Sequence, residues 1–199
     1  MKETLFKLTY GLFVLSASNG VKDNGCIINT AIQLTDKPLQ IAIAVNKSNY
    51  TLEMIQESGC FNLSVLSEDV PFSVFERFGF QSGRTTDKFA DFEHKKRSAN
   101  NAYYLTEYAN AFISAKVVNT IDCGTHMLLV GEVVQALTLS DVPSVTYDYY
   151  FKNIKPKPEA KKKGYVCKIC GYVYEGDSLP EDFICPWCKH PASDFEPLQ

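Results

Sequence analysis

Four of the seven cysteines crowd toward the C-terminal end, in "CKIC" and "CPWC", as Cys167, Cys170, Cys185 and Cys188. A Cys-x-x-Cys loop aims two sulfurs at one point, and two such loops close a tetrahedral four-sulfur site that suits zinc or iron. Spacing does not separate the two metals. Zinc there would be a structural clip. Iron would carry electrons, because four thiolates hold its ferric and ferrous forms in nearly the same geometry and one electron moves with little rearrangement. The neighbours favour iron: Tyr165, Tyr172, Tyr174, Phe183, Trp187 and Phe195 crowd a segment in which a zinc ribbon needs no aromatic core. Gly171 follows the first pair and tolerates a positive φ, which lets backbone N–H groups turn toward the sulfurs. His190 is expected to stay out of the metal's shell, since four cysteines already fill it.

The segment Tyr165 to Glu196, including the closing "SDFE", resembles rubredoxin with the shortened middle of rubrerythrin-type rubredoxin domains. The resemblance implies that Cys167, Cys170, Cys185 and Cys188 are iron ligands. It also marks a departure: Lys189 stands where that family usually has glycine, so the second turn is expected to be strained or to differ. Ile169 and Trp187 occupy the two positions that in rubredoxins keep water from the iron, and a tryptophan there equally suits docking of a redox partner.

A one-electron centre cannot take a hydride from a nicotinamide, so a two-electron acceptor that releases electrons singly is needed, and a flavin does this. The best upstream candidate is "NKSNYTLEMIQESGCF". Its polar start leads into a helix with Thr51 expected at the N-cap, offering free N–H groups and a positive dipole to a phosphate beside Lys47, Ser48 and Thr51. Alone this is only a capped helix. Taken in order, "NGCIINTAIQLTDKPLQIAIAVNKSNYT", "FGFQSGRTTDKF" and "GTHMLLVGEV" resemble the flavin reductase family with the FMN-binding split β-barrel, over roughly residues 5–150.

That resemblance implies that Asn29, Thr30 and Ala31 lie along the flavin ring. It implies that Asn46, Lys47, Ser48, Asn49, Tyr50 and Thr51 hold the ribityl chain and phosphate. Ser82, Gly83 and Arg84 would close over the flavin, with Arg84 pairing the phosphate, and Lys88 is a further candidate whose alternative is a salt bridge. "GTHMLLVGEV" matches the family's Gly-Asp-His-x4-Gly-x-Val pattern with Thr125 in place of Asp, which makes His126 the residue expected to orient the hydride donor. Its plainer alternative is a merely hydrogen-bonded histidine. His94 reads as surface. Family members are usually homodimers with FMN near the interface.

The elements that must position these residues are mostly strands: "LFVLSAS", "CIINTAIQLT", "LQIAIAVN", "CFNLSVL", "NAFISAKVVNTI", "HMLLVGEVVQALTL" and "VTYDYY" are β-branched or alternating runs between turn residues. Short helices are expected over Thr51–Ser58 and about Pro71–Phe78. Many strands with few helices mean an antiparallel barrel or sandwich. The fold expected is therefore mainly β, a split β-barrel with short helices plus a small rubredoxin-like domain. The domains expected are 1–153, a Lys/Pro-rich linker 154–163, and 164–199. Six lysines and Pro156 and Pro158 fall between Lys152 and Gly164, and about a dozen extended residues reach roughly 35 Å.

The net charge of −3 and pI near 5.6 give no reason to expect nucleic acid, and no apolar run approaches the ~18 residues of a membrane helix. The start, "MKETLFKLTYGLFVLSASNG", reads as an opening strand with alternation at Leu12, Val14 and Ser16 rather than as a signal peptide. Cys26, Cys60 and Cys123 are odd in number and far apart, which suits small buried thiols in a reducing cytoplasm.

The two halves together resemble the high-molecular-weight rubredoxins of anaerobic bacteria. The resemblance implies electron flow from NADH or NADPH through FMN to iron and on to an external flavo-diiron protein. Two alternatives stand beside it: a reductase that releases free reduced flavin and carries a structural zinc tail, and a non-enzymatic electron carrier. The linker's reach allows the iron module to travel between flavin and acceptor. Fusing the two domains rigidly is accordingly expected to lower turnover with an external acceptor, measured as steady-state acceptor reduction; unchanged turnover would rule the travelling module out.

Overall fold

The computed structural model describes residues 2–5, 7–156 and 164–198, so most of the expected linker, 157–163, lies outside the described residues. In chain order the elements are α1 (Lys2–Leu5), β1 (Phe13–Ser18), β2 (Asp23–Ile28), β3 (Ala31–Asp36), β4 (Leu39–Asn46), α2 (Tyr50–Ser58), β5 (Cys60–Leu66), α3 (Phe72–Gly79), β6 (Lys95–Arg97), β7 (Tyr103–Leu105), β8 (Ala109–Asp122), β9 (His126–Thr138) and α4 (Tyr147–Tyr149). The C-terminal module adds β10 (Gly164–Cys167), β11 (Val173–Glu175) and β12 (Phe195–Pro197), paired in the order β11-β10-β12.

The main sheet is antiparallel with seven strands in the order β2-β1-β5-β8-β9-β4-β3. Its two edge strands, β2 and β3, are neighbours in sequence, joined only by Asn29 and Thr30. In a flat sheet the edges would stand about 29 Å apart, six spacings of ~4.8 Å, whereas the steps from Ile28 to Ala31 span at most about 11 Å. The sheet must therefore curl until its edges meet, which makes it a barrel split at one seam.

Two apolar cores follow. One fills the barrel, with Leu15, Ile43, Met54, Phe61 and Leu129 fully buried around α2. The other lies outside the barrel wall, where Val14, Phe75, Phe78, Phe89 and Tyr150 pack beneath α3. Strand β1 serves both, so all six of its residues are buried and the alternation expected of it is absent from its exposure.

The strand expectations hold except at three places. "CIINTAIQLT" is not one strand but two, β2 and β3, because the seam turns at Asn29 and Thr30. "VTYDYY" is helical at its end. Thr146 Oγ1 accepts from Tyr149 N at 3.1 Å, and the Tyr147 ring meets Phe151 at 4.9 Å while Tyr150 meets Phe75 at 4.6 Å. A cap and ring packing at helical spacing override β propensity there. The turns widen over Tyr150–Ile154 and end with Lys155 N on Tyr150 O at 2.8 Å. The β6–β7 hairpin was not legible; buried Asn62 holds it, donating through Nδ2 to Ala102 O and Tyr103 O at 2.9 and 3.2 Å.

Of the three isolated cysteines only Cys26 is buried; Cys60 is half-buried and Cys123 is exposed at the β8–β9 turn. No helix among the described residues is long and apolar enough to cross a membrane.

Gly131 in β9 is fixed by packing. A Cβ there would lie 2.8 Å from the Phe61 ring and 2.9 Å from Ala115 Cβ, both fully buried. Gly131→Ala is expected to cost about 1–3 kcal/mol by overpacking, read as a lower urea midpoint.

Candidate functional site

The four clustered cysteines come from two like turns. Cys167 N donates to Tyr172 O and Gly171 N returns to Cys167 O, both at 2.8 Å. Cys185 N donates to His190 O at 2.8 Å, and Lys189 N to Cys185 O at 3.0 Å. The turns do not differ: Gly171 has φ 83° and Lys189 φ 62°, so the lysine adopts the left-handed conformation that glycine takes freely. Phe183, Phe195, Tyr172 and Tyr174 pack against the cluster from one side.

The four Sγ atoms lie within 4.8 Å of one another, with Cys167–Cys188 at 3.6 Å and Cys170–Cys185 at 3.5 Å. A tetrahedron with metal–sulfur bonds of ~2.3 Å has edges of about 3.8 Å, so the set fits one metal ion. Backbone N–H groups of Ile169 and Cys170 hydrogen-bond the Cys167 sulfur, that of Tyr172 the Cys170 sulfur, and that of His190 the Cys188 sulfur. Such donors stabilise thiolate charge.

Proton sharing is correspondingly uneven. The hydrogen bond with Cys170 drives the Cys167 thiol far below its usual range, while that with Cys167 pushes Cys188 far above and Cys170 to about 12. A cation that replaces the shared protons removes this conflict. His190 is not in the cluster; its Nδ1 lies 3.1 Å from Cys188 O.

A cleft of about 220 Å3 opens beside this centre. Its polar lining is Asn29 at the barrel seam, Asn46 at the end of β4, Asn49 before α2, and His126 at the start of β9. The barrel register places Asn46 directly opposite His126, and Lys47 N donates to Thr125 O at 3.0 Å, which ties the two turns together. Apolar walls come from Leu12, Ile27, Phe75, Phe80, Tyr147 and Tyr150. Ile169, Cys170 and Cys188 of the metal module complete the lining. Tyr147 reflects this closeness: burial, then the nearby Cys188, pushes its phenol up to about 12. An apolar slot with a few convergent amides suits the wedge of a flat heterocycle, although its volume is too small for a whole dinucleotide. A larger depression of about 610 Å3, around Phe92 and Tyr103, is an open surface feature that holds none of the expected site residues.

Of the remaining expected residues, Lys47, Ser48, Tyr50, Thr51 and the loop of Ser82, Gly83 and Arg84 lie about the start of α2 rather than lining the cleft. Thr51 is not the N-cap. Asn49 is, accepting from Thr51 N at 3.0 Å, while Thr51 is buried and its Oγ1 accepts from Asn24 Nδ2 at 2.9 Å. The reason is one of position: the helix begins at Tyr50, so Asn49 is the residue whose short side chain can reach back over the first turn. Ser48 folds onto Asn46, whose Oδ1 accepts from both its N and its Oγ at 2.9 Å. Lys47 pairs with Asp122 at 2.7 Å.

Lys22 Nζ lies 5.3 Å and the Arg84 guanidinium 4.9 Å from the centre of the Tyr50 ring. Arg84 is not free: it pairs with Glu53 of α2. Gly83 presses on Asn24, since a Cβ would meet Asn24 Oδ1 at 2.0 Å, and its carbonyl accepts from Lys22 Nζ at 2.7 Å. Ser82 shapes the same loop, its carbonyl accepting from Thr86 N at 3.0 Å. Lys22 was missed in the sequence because it lies outside every motif there. Thr30 and Ala31 sit on the seam, where Thr30 O accepts from Ala44 N at 3.3 Å.

Lys88 has neither a phosphate-facing place nor a salt bridge. Its buried ammonium donates to Gly25 O and Phe78 O at 2.9 and 3.0 Å, and desolvation lowers its pKa. It pins the loop to β2 and α3. His94 is partly exposed and pairs with Glu107 at 3.0 Å. Thr125 Oγ1 lies 2.9 Å from His126 Nδ1, so threonine still orients the ring where the motif has aspartate.

Residues 5–156 match the family described as "Flavin reductase like domain", and residues 165–196 match "Rubrerythrin, rubredoxin-like domain". A high molecular weight rubredoxin of Moorella thermoacetica is 35% identical over 98% of this chain and 99% of its own length. A ferric-chelate reductase (NAD(P)H) of Archaeoglobus fulgidus is 41% identical over 74% of this chain and 88% of its own. Among solved structures, flavoredoxin from Methanosarcina acetivorans superposes with a TM-score of 0.56 at 25% identity, over 65% of this chain and 69% of that one.

Replacing Lys189 by glycine removes the cost of a side chain in the left-handed region, and Lys189→Gly is expected to stabilise the metal module by about 1 kcal/mol. Thermal release of bound metal, followed by absorbance, should shift upward.

Proposed function

Since the chain belongs to the flavin reductase-like family and carries a rubredoxin-like domain at its C-terminal end, we propose that it is an NAD(P)H-dependent oxidoreductase that passes electrons through FMN to one iron held by four cysteines, and on to an external redox protein. The observation that carries this reading is the shared cleft: Asn29, Asn46, Asn49 and His126 of the barrel open onto the same space as Cys170 and Cys188. When bound, FMN supplies the step from a two-electron hydride to single electrons.

In this reading Asn29, Thr30 and Ala31 bind the ring edge at the seam. Asn46 to Thr51 offer backbone and side-chain donors to the ribityl chain and phosphate, and Lys22 and Arg84 close the charged rim with Ser82 and Gly83. Glu53 then has to yield Arg84, which an entering phosphate favours because its charge is higher and its acceptors more numerous. His126, held by Thr125, positions the nicotinamide. Cys167, Cys170, Cys185 and Cys188 hold the iron, and the N–H donors onto three of their sulfurs stabilise its reduced state.

The relatives support the two halves of this scheme separately: one is named for reduction by NAD(P)H, the other for rubredoxin. The acceptor we propose is a flavo-diiron protein in the cytoplasm, where free thiols such as the exposed Cys123 persist. A second copy of the chain is proposed to cover the exposed apolar residues Ile32, Leu34, Val118, Ile121 and Val134 of the long hairpin and its neighbours.

Anaerobic visible spectra before and after stoichiometric NADH, then NADPH, test the scheme in one cuvette. Flavin and ferric-thiolate bands are expected to bleach together with at least one donor. Flavin bands that bleach while iron bands persist would sink internal transfer and favour a reductase releasing free flavin; neither band responding would favour a passive carrier.

A further inference from the structure

Trp187 is the only tryptophan of the chain. Its ring lies flat on Phe80, with centroids 5.0 Å apart and planes 16° from parallel. Phe80 belongs to the barrel domain: it closes α3, its N–H donating to Glu76 O at 3.2 Å, and it leans on Phe72 at 5.8 Å. Its packing is nevertheless with the cysteine cluster.

A second tie lies nearby. Lys155 Nζ donates to Lys168 O at 3.1 Å, inside the first Cys-x-x-Cys loop. Lys155 Cε comes within 2.9 Å of where a Cβ on Gly171 would stand. Gly171 is thus demanded twice, by its φ of 83° and by the approach of a barrel-domain lysine. The Lys155 ammonium also sits 4.6 Å over the Phe151 ring, which fixes the base of this strap.

The two ties orient the metal module. Cys167 and Cys185 are fully buried in the module, whereas Cys170 and Cys188, with Ile169, line the barrel's cleft. We infer that the Ile169–Trp187 face is an intramolecular docking surface whose partner is the Phe80 ledge of this chain's own barrel, with Lys155 as the strap. Phe80 and Lys155 are then positioning residues. They hold the thinly covered side of the metal centre against the cleft, and a second redox protein using that same face meets the metal only after Trp187 has left Phe80. The module has one face for loading and unloading electrons. Trp187 remains 38% exposed in the docked arrangement, so its edge is open to solvent while its face is covered.

Docking is a matter of shape and does not depend on the redox scheme, so the two can fail separately. Acrylamide quenching of Trp187 in the metal-loaded full chain reads docking directly. Phe80→Ala is expected to raise the quenching slope about two- to threefold, and Phe80→Tyr, which keeps a stacked ring, to hold it at the wild-type value. In stopped-flow reduction by NAD(P)H, Trp187→Ala is expected to lengthen the lag between flavin and iron bleaching roughly tenfold, and Trp187→Phe to restore it. An unchanged quenching slope in Phe80→Ala overturns the docking surface. A raised slope with an unchanged lag in Trp187→Ala overturns its role in loading the metal.

Discussion

Two residues, Asn29 and Thr30, impose the constraint on which the barrel depends. They join strands that the pairing order puts at opposite edges of a seven-stranded sheet, and so short a link forces the sheet to curl on itself. Curling brings the two edge strands, β2 and β3, together at the seam without pairing them. It also decides where chemistry can happen. The seam, the end of β4 and the start of β9 come to one rim, and with them Asn29, Asn46 and His126. Closure leaves β1 buried on both faces: Phe13, Leu15 and Ala17 pack into the barrel core, Val14 packs beneath α3, and Ser16 on that second face donates to Tyr103 O.

The charged residues near α2, where we propose that the phosphate binds, are paired with one another in its absence. Lys22 and Arg84 lie near the Tyr50 ring, Arg84 leans on Glu53, and Lys47 on Asp122. Exposed pairs of this kind contribute little to stability, a few tenths to about 1 kcal/mol, and are therefore exchangeable for a phosphate. Lys88 is the opposite case. Buried and with two backbone carbonyls as its acceptors, it ties its loop to β2 and α3.

The C-terminal module solves a different problem. With about 35 residues it has too little core to be stable on burial alone, and its fold is organised by a metal-sized set of sulfurs flanked by an aromatic cluster. Lys189 shows that the knuckle geometry dominates local preference: the second turn repeats the first even though its residue is poorly suited to φ 62°. Contact with the barrel adds what so small a unit lacks, an apolar surface against which Ile169 and Trp187 can rest.

Much was legible in the chain alone. The paired Cys-x-x-Cys loops, the strand runs from "LQIAIAVN" to "HMLLVGEVVQALTL", and both main helices follow from spacing and periodicity, since metal ligation and hydrogen-bond ladders constrain residues that are near in sequence. Asn29, Asn46, Asn49 and His126 became candidates through the resemblance of their motifs to the flavin reductase family, not through periodicity. What only the tertiary structure decided is what depends on residues far apart. The N-cap is Asn49 rather than Thr51 because the helix begins one residue before the threonine, which is buried and accepts instead from Asn24 of another strand. The "VTYDYY" run became helical because Phe75 and Phe151 offer its rings a place at helical spacing. Lys22 and Lys155 carry no motif, Phe80 was given no role within its own, and their roles exist only because the folded chain brings Gly83, Lys168 and Trp187 to them. Sequence determines which residues can do the chemistry; the closure of the barrel and the seating of the metal module against it determine which of them meet.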